Sequence, residues 1–253
     1  MKVKAKVRDL KGNDAGEVAL PEAFSEPVRV ELIRRAVVAA QANRLQPYGP
    51  NPRAGLDHAV KGWGVGRGVS RVPRLTISRR AAVAVQAVGG RRAFPPVPER
   101  VWAEKVNRKE RRLAIRSAVA ATALTEMVRG RGHRFEGTLP LVVVDDIQGL
   151  KKTADVVETL LALGLKEEMA RTAERKIRAG KGTRRGRKYR RPVGPLIVVG
   201  EDQGISMGGR NIPGLDVVTA DQLCAEDLAP GTQPGRLVVW SASAIRRIGE
   251  VLK

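Results

Sequence analysis

Residues 139–146 read LPLVVVDD. Leu139–Val144 is an apolar, β-branched run closed by two aspartates. A run without polar alternation is buried on both faces, as the central strands of parallel sheets are. Working outward, Thr153 caps a helix that carries Val156, Val157, Leu160 and Leu161 and stops at Gly164. A second helix is predicted from Lys166 to Ala179. Two further apolar runs follow, Leu196–Val199 and Leu237–Trp240, with a shorter strand at Val217–Val218. Thr219 caps a short helix through Leu223. Ser241 or Ser243 caps a last helix through Ile245, Ile248 and Val251. Strands alternating with helices imply right-handed crossovers and a parallel sheet between helical layers. The fold class is therefore α/β, a mainly parallel sheet flanked by helices.

Upstream, residues 2–8 (KVKAKVR) alternate charge with Val or Ala, a half-buried strand. Gly12 to Gly16 make a turn, and Glu17–Leu20 returns as a second strand of a hairpin or edge pair. Pro27 opens a helix with Val30, Ile33, Val37 and Ala40 on one side and Arg34, Arg35 and Gln41 on the other. Asn107 and Glu110 have capping-box spacing, and that helix is predicted through Leu113, Ile115, Ala118, Val119 and Thr122 to about Arg129. Its early Arg and Lys residues oppose the positive end of the helix dipole, a cost that an anion bound there would offset.

Between these helices, residues 47–98 hold 8 Gly and 7 Pro, too many for a segment that builds its own core. Charge says what it folds against. The net charge is +21, and it is concentrated: residues 44–116 hold 17 Lys/Arg and 4 Asp/Glu, and residues 171–191 hold 11 and 1. The remainder is nearly neutral. Two such blocks need a polyanion, and nucleic acid fits, because each neutralised phosphate releases counterions. In GWGVGRGVSRVPR (62–74) Gly recurs at every second position from 62 to 68, which frees the backbone and lets it approach a surface closely. Arg67, Arg71 and Arg74 add charge and Trp63 a stacking face. AVGGRRAFPP (87–96) repeats the recipe with Arg91, Arg92 and Phe94. Arg171, Arg175 and Arg178 would share one helix face leading into GKGTRRGRKYRRP (180–192). Tyr48, Trp63, Phe94, Trp102 and Tyr189, five of the eight aromatics, lie in the two basic segments, which favours base stacking over core anchoring.

Catalytic signals are weak. Asp145 and Asp146 end a parallel strand, where ligands bind and where two carboxylates could hold Mg²⁺; a turn or cap is the commoner use. There is no GxxxxGK[ST] loop. VVGEDQGISMGG (198–209) lacks GxGxxG spacing and is acidic where a pyrophosphate would sit. His58 and His133 have no metal-ligand spacing to Cys or carboxylates and read as polar surface or RNA contacts. Cys224, the single cysteine, reads as a small buried hydrophobe in a reducing compartment. The N-terminal MKVKAKVRDL lacks a secretion signal's apolar run, and no apolar stretch approaches the roughly 18–20 residues of a membrane span, so a soluble, cytoplasmic protein is expected.

GWGVGRGVSRVPR, AVGGRRAFPP, NRKERRLAIRSAVAATA (107–123), GKGTRRGRKYRRPVGPLIVV and APGTQPGRLVVW (229–240) together resemble the large-ribosomal-subunit protein four family in its archaeal and eukaryotic form. The resemblance covers almost the whole chain. It implies a globular α/β domain (residues 1–46 and 99–253), a long RNA-penetrating loop inserted at 47–98, and a second basic extension at 180–195. It implies a structural role in the cytoplasmic ribosome, with large-subunit ribosomal RNA, neighbouring ribosomal proteins and the nascent peptide as partners, no membrane and no catalysis. No cofactor is implied beyond Mg²⁺ bound to the RNA itself. The expected RNA contacts are Arg44, Tyr48, Arg53, Lys61, Trp63, Arg67, Arg71, Arg74, Arg79, Arg80, Arg91 and Arg92 in the loop. Arg108, Lys109, Arg111 and Arg112 follow on the next helix. Arg171, Arg175, Arg178, Lys181, Arg184, Arg185, Arg187, Lys188, Tyr189, Arg190 and Arg191 complete the set. The resemblance places Gly62, Trp63, Gly64, Val65, Gly66, Arg67, Gly68, Val69, Ser70 and Arg71 at the exit-tunnel lining. The competing reading is a Mg²⁺-dependent α/β enzyme acting on nucleic acid through Asp145 and Asp146.

Overall fold

The computed structural model describes residues 4–252; Lys2 and Val3 of the first expected strand lie outside the described residues. The chain divides into two compact units: residues up to Gln41 with those from Lys105 onward, and Ala42–Glu104. In chain order the elements are β1 (Lys4–Arg8), β2 (Asp14–Ala19), α1 (Val30–Asn43), β3 (Val60–Lys61), β4 (Arg74–Leu75), α2 (Arg108–Ala123) and α3 (Thr125–Gly130). Then come β5 (Leu141–Val143), α4 (Thr153–Ala162), α5 (Lys166–Ala173), β6 (Lys176–Ile177), β7 (Tyr189–Arg190), β8 (Leu196–Val199) and α6 (Ile205–Gly209). The chain closes with β9 (Asp216–Thr219), α7 (Ala225–Leu228), β10 (Val238–Ser241) and α8 (Ala242–Val251).

Six strands form the main sheet in the order β2-β1-β5-β10-β8-β9. Only the β1–β2 pair is antiparallel; β1–β5, β5–β10, β10–β8 and β8–β9 are parallel. The fold is α/β, as the three apolar runs require. Successive side chains enter opposite cores. Val142, Val198, Val238 and Trp240 join the core that includes Ile33 and Val37 of α1, Ala118 of α2 and Ile245 and Ile248 of α8. Leu141, Val143, Ile197, Val199 and Val239 join the other, with Val156 and Leu160 of α4 and Ile205 of α6. Phe24 meets the fully buried Trp240 edge-on, ring centroids 5.5 Å apart. Among the described residues no helix is long and apolar enough to cross a membrane.

Local structure departs from expectation at several points. The helix from Asn107 to Arg129 is two helices, broken at extended Leu124. Just before the break the Thr122 hydroxyl donates to the Val119 carbonyl at 2.7 Å, a back-bond of the kind that bends helices. Asn107 makes no side-chain cap, and Glu110 pairs instead with Arg35 at 3.5 Å. Thr153 is the first helical residue and makes no cap. No helix forms at 219–223; α7 starts later, where the Asp227 carboxylate accepts the Cys224 N–H at 3.0 Å. Ser241, not Ser243, caps α8 by accepting the Ala244 N–H at 3.1 Å.

Candidate nucleic-acid interface

The unit Ala42–Glu104 carries eleven Lys/Arg and three Asp/Glu, so its own carboxylates cannot neutralise it. Its ends are tied together. The Asn43 side chain donates to the Glu104 carbonyl at 3.2 Å and accepts the Glu104 N–H at 3.0 Å. Tyr48 stacks on Trp102 at 5.0 Å, and the Arg100 guanidinium lies 5.0 Å over the same indole. The incoming and outgoing chains run side by side. A Cβ on Gly55 would sit 2.8 Å from the Arg91 Cα, so only Gly fits there.

At the other end β3 and β4 form a two-residue ladder, Val60 opposite Leu75 and Lys61 opposite Arg74. Between them, Trp63 has the guanidiniums of Arg67 and Arg74 at 5.6 and 5.2 Å from its ring centroid, a cation–π arrangement. Arg74 also donates to the Arg79 carbonyl at 2.7 Å. Gly64, Gly66 and Gly68 have φ of +69°, +82° and +65°, with nothing within 4 Å of where a Cβ would stand. Within the chain, backbone handedness and not close approach makes these positions glycine.

The second basic segment is a hairpin. The sequence predicts α5 continuing to Ala179, but the helix ends at Ala173 and Glu174 is extended. Pairing of β6 with β7 overrides the helical periodicity. Arg171, Arg175 and Arg178 therefore do not share a helix face. Arg175 instead lies 4.1 Å over the Tyr189 ring, with the Lys188 ammonium at 5.5 Å. The Arg178 N–H donates to the Lys188 carbonyl at 2.8 Å, and its Nε to the Arg187 carbonyl at 3.2 Å. Gly186, at φ +76°, closes the turn.

At the root of this hairpin lies a buried ionic cluster that sequence reading missed. His133, expected at the surface, is buried, and its Nδ1 is 2.6 Å from Glu168 Oε1. Arg171 donates to both Glu168 oxygens, at 2.8 and 2.6 Å, and to the Val193 carbonyl at 2.7 Å. The Arg134 N–H donates to Glu168 Oε2 at 3.0 Å. Burial pushes the Glu168 carboxyl up, but the Arg171, His133 and Arg134 hydrogen bonds outweigh it and hold the group down at about 2. Burial, aided by Arg171 and Arg131, holds the His133 ring below its ordinary range despite the Glu168 carboxylate. Buried Arg236 donates to the carbonyls of Gly194 and Asp227, each at 2.9 Å, and pairs with Asp216. The Glu168/Arg171 spacing of three on a helix was a legible signal; His133, 35 residues away, left none.

Of the expected RNA contacts, Trp63, Arg74 and Arg171 are half-buried and all the others are exposed. His58 is exposed. Cys224 is half-buried, its thiol pushed up to about 11 by burial and by Asp227. Asp145 and Asp146 line a cleft of about 860 Å³ at the C-terminal ends of β5, β8 and β10. Asp145 is committed there to capping: its Oδ1 accepts the Ser243 N–H at 2.7 Å and the Gln148 Nε2–H at 3.3 Å. In the 198–209 segment Asp202 caps α6, accepting from the N–H groups of Gly204 and Ser206 at 3.0 and 3.3 Å.

Residues 18–251 match the model of the ribosomal protein L4/L1 family. The chain is 51% identical over 251 residues to the large ribosomal subunit protein uL4 of Archaeoglobus fulgidus, covering 99% of this chain and 100% of the relative. It is 53% identical over 249 residues to that of Methanothrix thermoacetophila, covering 98% and 99%. With the protein of Methanococcoides burtonii it shares 52% over 242 residues, covering 95% and 96%.

Proposed function

The chain belongs to the ribosomal protein L4/L1 family, and from that premise we propose that it binds large-subunit ribosomal RNA through two basic arms and helps line the nascent-peptide exit tunnel with the tip of the first. As a family member it is a structural, non-enzymatic constituent of the large ribosomal subunit in the cytoplasm, assembled with ribosomal RNA and other ribosomal proteins. The Mg²⁺-dependent enzyme reading falls with that membership, and Asp145 has a structural use as a helix cap.

In this reading the α/β body is the anchor, residues 47–98 are the RNA-penetrating arm, and the basic extension 180–195, with the strand β6 that precedes it and pairs with β7, forms the second arm. The observation that carries it is the segregation of charge. Apart from half-buried Arg74 and Arg171, the cations of both arms are exposed, and they heavily outnumber the carboxylates beside them, while the two cores belong to a nearly neutral body. Exposed Arg67, Arg71, Arg79, Arg91 and Arg92 suit phosphate contact. Exposed Phe94 and half-buried Trp63 suit stacking on unpaired bases. The tip, 62–71, is Gly-rich and free of acidic residues, which suits a segment passing between RNA strands.

A photo-crosslinking amino acid at Val65, which is 73% exposed, tests the tunnel assignment in assembled ribosomes carrying a stalled nascent chain. Crosslinks to the nascent chain or to tunnel RNA are expected; crosslinks confined to outer-surface proteins would overturn it.

A further inference from the structure

Beside the buried cluster, Arg134, Arg171, Lys176 and Arg190 line a pocket of about 420 Å³ together with Glu174 and Pro192. Four cations thus converge from three places: the segment after α3, the end of α5, and both strands of the hairpin. Lys176 and Arg190 stand directly opposite each other in the β6–β7 ladder. Like charges at facing positions of an antiparallel pair destabilise it, and this ladder has only two residue pairs to resist them. Among the described residues, Arg134, Lys176 and Arg190 make no ion pair with a carboxylate. Arg171 is held at the pocket wall by Glu168 and the Val193 carbonyl, so its position is set before anything binds. Glu174 is the one carboxylate lining the pocket, and Glu168 already pairs with Arg171, which leaves Arg134, Lys176 and Arg190 in excess.

We propose that this pocket is a seat for a single phosphate group, and that its occupation locks the β6–β7 hairpin onto the body. The inference rests on the RNA-binding reading of the second arm and deepens it: Arg134 and Lys176 join Arg171 and Arg190 as ligands. A phosphodiester of RNA and free inorganic phosphate share the required chemistry, a compact anion with several acceptor oxygens.

The test compares Arg190→Glu with Arg191→Glu in the full chain. The two make the same charge change on neighbouring exposed residues, and only Arg190 lines the pocket. Arg190→Glu faces Lys176 with an opposite charge, so the free protein's hairpin amides should gain protection from exchange. Binding to a large-subunit RNA fragment should weaken about tenfold more than in Arg191→Glu, with the salt slope reduced by about one further unit. Inorganic phosphate, titrated at constant ionic strength, should raise hairpin protection in the wild type and not in Arg190→Glu. A response to phosphate without the RNA difference assigns the seat to free phosphate; both together assign it to the RNA backbone. Equal RNA loss in the two variants, with no response to phosphate, overturns the seat while leaving the arm reading intact. If replacing 180–188 by a short turn also leaves RNA affinity unchanged, the arm reading fails as well.

Discussion

His133 and Glu168 lie 35 residues apart in the chain, yet their side chains, 1% and 0% exposed, share a 2.6 Å hydrogen bond. The neutral imidazole donates from Nδ1 to the ionised carboxylate, which also holds Arg171. The bond ties the segment after α3 to α5, next to the hairpin root.

This pair makes stability depend on pH with a definite sign. Glu168 sits at about 2 against an ordinary 4.5, so its contribution is present above 4.5 and is lost as pH falls from 4.5 towards 2. The integrated effect is about 3 kcal/mol. His133 is also depressed below 6.5, so the unfolded chain takes its proton first and stability begins to fall below that pH. Denaturant titrations between pH 7 and 3 should show a shallow loss followed by a steeper one. Glu168→Gln should remove the steeper phase; an unchanged profile would contradict the cluster's role.

Arg236 supports a second stability prediction. Its buried guanidinium serves the carbonyls of Gly194, Pro195 and Asp227 as well as Asp216. Arg236→Ala takes the side-chain donor from the Gly194 and Asp227 carbonyls, while the Pro195 carbonyl keeps the Asp216 N–H and the exposed Asp216 carboxylate keeps water, and should cost about 2–4 kcal/mol. Lysine should not rescue it, because an ammonium cannot reproduce the planar fork. Thermal unfolding of the two variants checks both statements.

Trp240 and the tip should separate cleanly. Trp240→Ala empties the largest fully buried side-chain site and should cost about 3–5 kcal/mol. Replacing residues 62–73 by a two-residue turn removes none of the core residues and should leave the melting temperature within about 2 °C. The same deletion should impair incorporation into large subunits, read by co-sedimentation.

The tip glycines are predicted to tolerate substitution by handedness. Gly66→Asn should retain function better than Gly66→Val, because Asn enters the left-handed region at low cost and a β-branched residue does not. Incorporation of the two variants under competition with wild type gives the ranking.

Much of the fold was legible because β5, β8 and β10 are buried on both faces, which forces unbroken apolar runs. The charge blocks were legible because like charges cannot be hidden in a core. The failures share a cause: tertiary partners outvoted local pattern. The helical spacing of Arg171, Arg175 and Arg178 lost to a hairpin whose other strand begins at Tyr189. The capping spacing of Asn107 and Glu110 lost to Arg35, which lies 75 residues from Glu110. His133 looked like surface because its polar company in sequence, Arg131 and Arg134, gave no hint of Glu168.

The central claim is that the two arms carry most of the RNA binding. The most direct measurement is the salt dependence of affinity for a large-subunit RNA fragment, for wild type and for chains with Arg67, Arg71, Arg79, Arg91 and Arg92, or Arg184, Arg185, Arg187 and Arg191, replaced by Gln. Each set should flatten the plot of log K against log salt, by several units for the first arm, with folding stability unchanged. Slopes equal to wild type in both variants would contradict the account.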